Sequence, residues 1–519
     1  MLTSGSNSIG HSPIPGGAAG AERTSESRKG TSMKKILILF VSIVITLAAA
    51  YTGTAWWSGM MVEKEFYQLL KNNQNAGCVS LSTSNYHRSI FRSEAVTTVE
   101  VRIPETDGSN TSLFVDLTHD IAHGPWPVGS SLSELSLLRP VLAIIDTRIL
   151  SKPQTQTTFC HNFTELLARI SIRDRTILYL RGNGTSHLTA GPFRGTFGKD
   201  GVSVHLRQAT LNTSFSAGFD TLKSTLTFPQ LEACSTTGHL IIKDTVIDMD
   251  MHRVVVDFYL GNASFKTALI KIEGAGQETT PSFTINNLTM TSSSRESNTL
   301  FNTAVRVSFD ELLTDGTKVG PVMFTMEGRN LDTASMVLLQ NSCRQMQHKR
   351  TAGKVQDIDQ MILNAYMEVL PRMLRESPQL EITQLSVSTA EGDARGKALV
   401  SVDGTRVGPT FNPLLLAGAL SVEAEFSATE HLLQRVFEFR HTHLIENEIR
   451  TGTRPTLSNK KLRALAARQG KRELATLIKQ HVLTRKDNNM TINASYRRGQ
   501  VTVNGRPLPL ENLLRQNAL

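Results

Sequence analysis

At 519 residues the chain is long enough to bury a large core and would ordinarily make two or three domains, so length excludes no fold class. Hydrophobic residues at 39% and charged residues at 19% exclude disorder for the bulk of the chain, and the abundant Ser and Thr lean toward strands. The formal charge of +9 is not spread out: between Asn459 and Arg498 eleven Lys or Arg stand against Glu473 and Asp487, which leaves the rest of the chain neutral.

Residues 1–32 are rich in Gly, Ser and Pro without apolar periodicity and are expected to be a disordered extension. Met33-Lys34-Lys35 looks like the natural start of a targeting signal, so an over-extended gene would also account for them. From Ile36 to Trp57 run 22 residues without a charge, ~33 Å as a helix, which matches a bilayer core. Arg23, Arg28, Lys29, Lys34 and Lys35 precede this run and Glu63, Lys64 and Glu65 follow it, so the positive-inside rule keeps the N-terminus cytoplasmic and exports the body. Residues 33–61 are therefore expected to form a signal-anchor transmembrane helix. Ala48-Ala49-Ala50 would also suit cleavage of a secretory signal, whereas Tyr51, Trp56 and Trp57 continue the run as an interfacial belt and favour an anchor.

After a short helical stalk, VEKEFYQLLKNN, alternating segments dominate residues 62–350. Val99, Val101 and Ile103 share one face, and RTILYLRG, HLIIKDTVIDM, TALIKIEG and VMFTMEGRNLD repeat the pattern between Gly, Asn, Asp and Ser turns. This spacing predicts an antiparallel meander. Residues 351–519 read as an α+β region. A helix carries Ile358, Met361, Ile362, Ala365, Val369, Leu370 and Met373, with a kink at Pro371; strands return at QLEITQLSVSTAEG and GKALVSVDG; and a helix-strand-helix passage follows from Asn412 to about Arg440. The basic segment after Ser458 reads as two helical pieces broken at Gly470, and a hairpin closes the chain. The expected fold is mainly β with C-terminal α: a long twisted antiparallel sheet covered by a few helices and preceded by one transmembrane helix.

Several phrases in order, Tyr86-His87-Arg88-Ser89-Ile90-Phe91, His123-Gly124-Pro125, Pro378-Gln379-Leu380-Glu381-Ile382 with Thr389-Ala390-Glu391-Gly392-Asp393, and Val503-Asn504-Gly505-Arg506-Pro507-Leu508, resemble the YdgA-like family of bacterial envelope proteins. The likeness spans the chain from Met33 onward, with Arg92 after Phe91 as a departure. It implies single-pass attachment to a bacterial inner membrane with a periplasmic body; the family's function is unknown, so it implies no catalytic residue.

Candidate chemistry is sparse. His119-Asp120-x-x-His123 pairs imidazoles with a carboxylate, as divalent ions require, but the alternation of LFVDLTHDIAHGP predicts a strand ending in a turn. His441, His443, Glu446 and Glu448 place four potential metal ligands in eight residues, yet on a strand the histidines and the acids would face opposite ways. Elbow, phosphate-loop, zincin and dinucleotide motifs are missing, and no cofactor is expected. Cys78, Cys160, Cys234 and Cys343 are too scattered for zinc and allow either two disulfides or free thiols. The Asn-x-Ser/Thr sequons fit turns and polar strand faces in a bacterial chain.

Lys460, Lys461, Arg463, Arg468, Lys471, Arg472 and Lys479 suit anionic lipid or an acidic protein; nucleic acid is not expected, because the body is exported and stacking aromatics are lacking. The expectation is a non-enzymatic envelope module whose C-terminal helices cover part of one sheet face and whose concave face binds lipid or another apolar molecule. A homo-oligomeric scaffold is the alternative, and a metal-dependent hydrolase built on the His441 cluster is the third reading.

Overall fold

The computed structural model describes residues 29–73, 79–104, 110–127, 140–150, 166–167, 169–197, 201–255, 258–274, 282–314, 316–351, 358–410 and 412–508. Helix α1 (Lys29–Asn73) joins the uncharged run and the stalk into one helix. The expected extension falls outside the described residues as far as residue 28. Contacts divide the chain into Met1–Thr54 and Ala55–Leu519. In the first unit the apolar side chains from Ile38 to Leu47 are exposed, and the stretch Ile38–Gln68 is the one described helix long and apolar enough to cross a membrane.

The second unit is organised by one 23-stranded sheet in which every pairing is antiparallel, as the alternation predicts. Its first run is β1 (Val79–Arg88), β2 (Arg92–Pro104), β3 (Asn110–His123), β4 (Val141–Leu150), β5 (Ile172–Tyr179) and β6 (Gly184–Ala190), each beside the next. The short pair β7 (Phe193–Phe197) and β8 (Val202–Leu206) then steps out, and β9 (Ala209–Phe215) returns to pair with β6. The meander continues through β10 (Thr221–Cys234), β11 (Gly238–Val255), β12 (Phe258–Gly274), β13 (Phe283–Ser297) and β14 (Leu300–Phe309); β8 lines the far end of β10.

Strand β15 (Glu311–Thr314) bridges β13 to β16 (Thr317–Asp332), and β16 pairs with β14. Helices α2 (Thr333–Thr351) and α3 (Ile358–Arg375) follow, with Pro371 inside α3. Asp332, buried at the start of α2, accepts from the Ser335 amide at 2.9 Å and receives Arg372 of α3 at 3.1 Å. Next come β17 (Gln379–Thr389), β18 (Gly392–Val402), the short α4 (Pro413–Ala419), β19 (Leu420–Thr429), α5 (Glu430–Arg450) and α6 (Asn459–Lys479). The closing strands are β20 (Thr484–Lys486), β21 (Asn489–Arg497), β22 (Gln500–Val503) and β23 (Arg506–Leu508). Asn504 and Gly505, both at positive φ, turn β22 into β23 as a two-residue hairpin requires.

The break expected at Gly470 is absent, and α6 runs unbroken from Asn459 to Lys479. A Cβ on Gly470 would stand 2.9 Å from the Glu438 amide nitrogen of α5, so glycine permits close helix approach rather than ending the helix. The passage from Asn412 is helix-strand-helix, with Asn412 capping α4 through its side chain.

Packing is concentrated where helices meet the sheet. Val62 of α1 packs with Ala95, Ile121, Leu142 and Ala143 at the β1–β4 end. Leu433 of α5 and Leu474 of α6 pack with Ala428 and Met490 at the β19–β21 end. Leu374, Val402 and Ala419 join α3 and α4 to the sheet.

Candidate functional site

Alternation gives each central strand two chemically distinct faces. In β10, Leu222, Ser224 and Leu226 lie on one face and Lys223 and Thr225 on the other. Registered pairing carries the first face across the sheet as a row, one residue per strand: Leu188, Leu211, Leu226, Ile247, Phe265, Met290, Val307, Phe324 and Leu385. At a strand spacing of ~4.8 Å this apolar lane is ~38 Å long from β6 to β17. Beside it runs a second row of smaller residues, Ser186, Thr213, Ser224, Met249, Ala263 and Ser292. Met290 is 43% and Met249 37% exposed, so this stretch of the face stands open among the described residues.

The same two rows continue under helices at both ends. Toward β1 they reach Ala95 and Ile121, which α1 covers; toward β21 they reach Phe426 and Ile492, which pack into the α5–α6 cluster. A sheet with one apolar face must cover it with helices, with itself or with a ligand. Among the described residues the ends are covered by helices and the middle is not.

The α1 end carries buried polar groups. His123 has no exposed surface; its Nδ1–H donates to the Ala55 carbonyl at 3.0 Å and its Nε2 accepts from the Ser93 hydroxyl at 3.1 Å. A Cβ on Gly59 would fall 2.6 Å from this ring, so glycine in α1 leaves room for the imidazole. His119 lies between Thr97 and Thr147, at 3.0 and 2.9 Å, with Phe66 edge-on at 5.8 Å. Burial lowers the proton affinity of both rings; for His119 the nearby Asp174 opposes that effect, and for His123 the backbone carbonyl bonds do. Arg88 binds Glu63 at 2.9 Å and lies over the Trp56 ring at 5.7 Å, which fixes α1 to β1 from its flank.

The opposite face is mainly polar. A groove of about 930 Å³ is lined by Arg175, His187, Asn212, Lys223, Asp248 and Asp250 of this face together with Ile177, Met249, Ala263 and several small hydroxyl residues, the row beside the lane included. Its groups satisfy one another across strands: Lys223 binds Asp250 and Thr225 donates to Asp248, both at 2.8 Å.

The residues singled out by sequence do not converge. Asp120 faces away from His119 and His123 and pairs with Arg92 instead. His441, His443, Glu446 and Glu448 lie on helix α5 and not on a strand. His441 binds Glu473 of α6 at 2.7 Å, Glu448 binds Arg454 at 2.7 Å, and only His443 and Glu446 meet, at 3.1 Å. No cluster of three or more His, Cys, Asp or Glu suited to a metal occurs among the described residues. Cys234 and Cys343 are exposed free thiols, while Cys78 and Cys160 lie outside the described residues.

Lys460, Lys461, Arg463, Arg468, Lys471, Arg472 and Lys479 are all exposed on α6. At 100° per residue six of them, all but Arg463, fall on one arc opposite the buried Leu462, Ala466, Gly470 and Leu474. They form a cationic stripe without an acid in ion-pair range among the described residues. The apolar lane and Asp174 were not singled out from sequence: the alternation in each strand was visible, but it does not say which strands pair or in what register.

An uncharacterized protein of Haemophilus influenzae is 24% identical over 329 residues, covering 60% of this chain and 86% of that protein. Protein YdgA of Escherichia coli is 26% identical over 135 residues, 24% of this chain and 26% of YdgA. No solved structure matches the chain. A family model matches residues 33–511, and the chain belongs to the family described as bacterial protein of unknown function (DUF945).

Proposed function

We propose that this chain is a membrane-anchored envelope protein whose uncovered apolar sheet face binds lipid or another apolar envelope molecule. The observation that carries the reading is the lane from Leu188 to Leu385, open between two helix-covered ends of one face. Water against that much hydrocarbon is unfavourable by about 25 cal/mol per Å², and an acyl chain would remove it. In this reading α1 spans the bacterial inner membrane with its N-terminus cytoplasmic and the body periplasmic, in keeping with the basic residues before the apolar run and the acids after it. The cationic stripe of α6 would meet anionic headgroups, each Lys or Arg contributing ~1 kcal/mol near such a surface.

Native mass spectrometry with organic extraction on the full-length protein, released from its membrane, tests this. A stoichiometric apolar molecule bound to the protein is expected. A ligand-free monomer would overturn the reading, and a ligand-free oligomer would favour a scaffold in which a second copy covers the face.

A further inference from the structure

The two rows that run through the open face contain a single carboxylate among the described residues, Asp174 of β5. It stands at the boundary: one neighbour in its row is Thr147, which bonds His119 beneath α1, and the other is Leu188, where the apolar lane begins. Thr176 and Ser186 donate to its two oxygens at 2.8 and 2.5 Å. A carboxylate offers about four lone-pair sites, so acceptor capacity remains. No Lys or Arg lies within ion-pair range of it among the described residues, although the chain pairs most of its other sheet acids, Glu100, Asp250 and Glu327 included.

A half-buried negative charge beside hydrocarbon calls for a cation. The geometry points to an amphiphile with a protonated amine headgroup, its ammonium on Asp174 and its hydrocarbon laid along the lane toward β17. The proposal rests on the lipid-binding reading of the apolar face and adds to it the headgroup chemistry and the direction of the chain. The lane, ~38 Å, is longer than one leaflet of a bilayer core, ~15 Å, so an extended acyl chain fits along it. An anionic headgroup would meet like charge at Asp174, and a neutral one would leave the carboxylate without a counter-ion.

The test uses the full-length protein with a photo-crosslinking amino acid in place of Ile247, reconstituted into vesicles of equal parts phosphatidylethanolamine and phosphatidylglycerol with matched acyl chains. Adducts are identified by mass after irradiation. Phosphatidylethanolamine adducts are expected to exceed phosphatidylglycerol adducts about tenfold, the ratio that ~1.4 kcal/mol produces. Asp174→Asn, which still accepts a hydroxyl hydrogen bond, should bring the ratio near one with an unchanged melting midpoint, and Asp174→Glu should retain the preference. The same crosslinker in place of Asp248, on the opposite, polar face, should capture no lipid. Equal adduct yields in the unsubstituted protein, or a preference that survives Asp174→Asn, would overturn the headgroup assignment and leave the lane intact. The absence of lipid adducts at position 247 would overturn the lipid-binding reading itself.

Discussion

Gly470→Ala separates a glycine that ends a helix from one that lets two helices touch. In the interior of an exposed helix the change is favourable by ~0.8–1 kcal/mol, because alanine loses less backbone entropy. Here the new Cβ would lie 2.9 Å from the Glu438 nitrogen, 3.1 Å from the Phe437 carbonyl carbon and 3.2 Å from the Phe437 Cβ, all in α5. Backbone atoms cannot rotate aside, so α5 and α6 must separate and loosen the Ile445–Leu462–Ala466 cluster. Overpacking of this kind costs ~1–3 kcal/mol, which exceeds the propensity gain and leaves a net loss of up to ~2 kcal/mol. Gly418→Ala in α4 is the control, since nothing lies within 4 Å of its Cβ position, and it should be neutral or stabilising by up to ~1 kcal/mol. Thermal melts followed by far-UV circular dichroism in one detergent would read opposite shifts, each of a few degrees at most in a body this large. A Gly470→Ala protein that melts as high as the Gly418→Ala protein would refute the close-approach argument.

Burial lowers the proton affinity of His119 and His123 in the folded protein, so the unfolded chain binds more protons as pH falls through the ordinary imidazole pKa of ~6.5. Their contribution to stability is present above that pH and lost as pH falls below it; His119→Gln/His123→Gln should flatten the decline in melting midpoint between pH 7 and pH 5, and an unchanged slope would count against it. Ile121→Ala, at a fully buried site beneath α1, should cost ~2–5 kcal/mol, whereas Met290→Ser on the open lane should cost under ~1 kcal/mol; chemical denaturation compares them, and equal losses would mean that the lane is covered. Lys461→Gln/Arg468→Gln/Lys471→Gln/Arg472→Gln should leave the melting midpoint unchanged and abolish tethering of proteoliposomes to anionic vesicles. Light scattering reads that tethering, and in the unsubstituted protein 1 M salt should suppress it equally.

Much of this architecture is local and therefore visible in the chain. An uncharged run of 22 residues is a long apolar helix whatever surrounds it, and the period-2 alternation of segments such as Thr221–Cys234 makes strands because the pleat puts neighbouring side chains on opposite faces. Asn504-Gly505 announces its hairpin, since both residues accept positive φ. What failed from sequence failed where distant backbone decides. His441 to Glu448 reads as a polar strand edge, whereas the segment is helical and packs Ile445 against Leu462 and Ala466. Gly470 is a helix breaker by propensity and a contact residue once α5 lies against it.

The candidate site lies further from sequence still. Each strand declares an apolar side, but Leu188, Leu226, Phe265 and Phe324 form a lane only because hydrogen-bonded register aligns them, and a slip of one residue would send any of them to the polar face. Asp174 is an ordinary acid in a strand until that register sets it between Thr147 and Leu188. Local periodicity thus determined the long apolar helix, the strands and most of the helices of this protein, because those depend on residues a few positions apart. Tertiary structure alone decided which face stays open and which charge stands on it, because both depend on pairing between residues tens of positions apart.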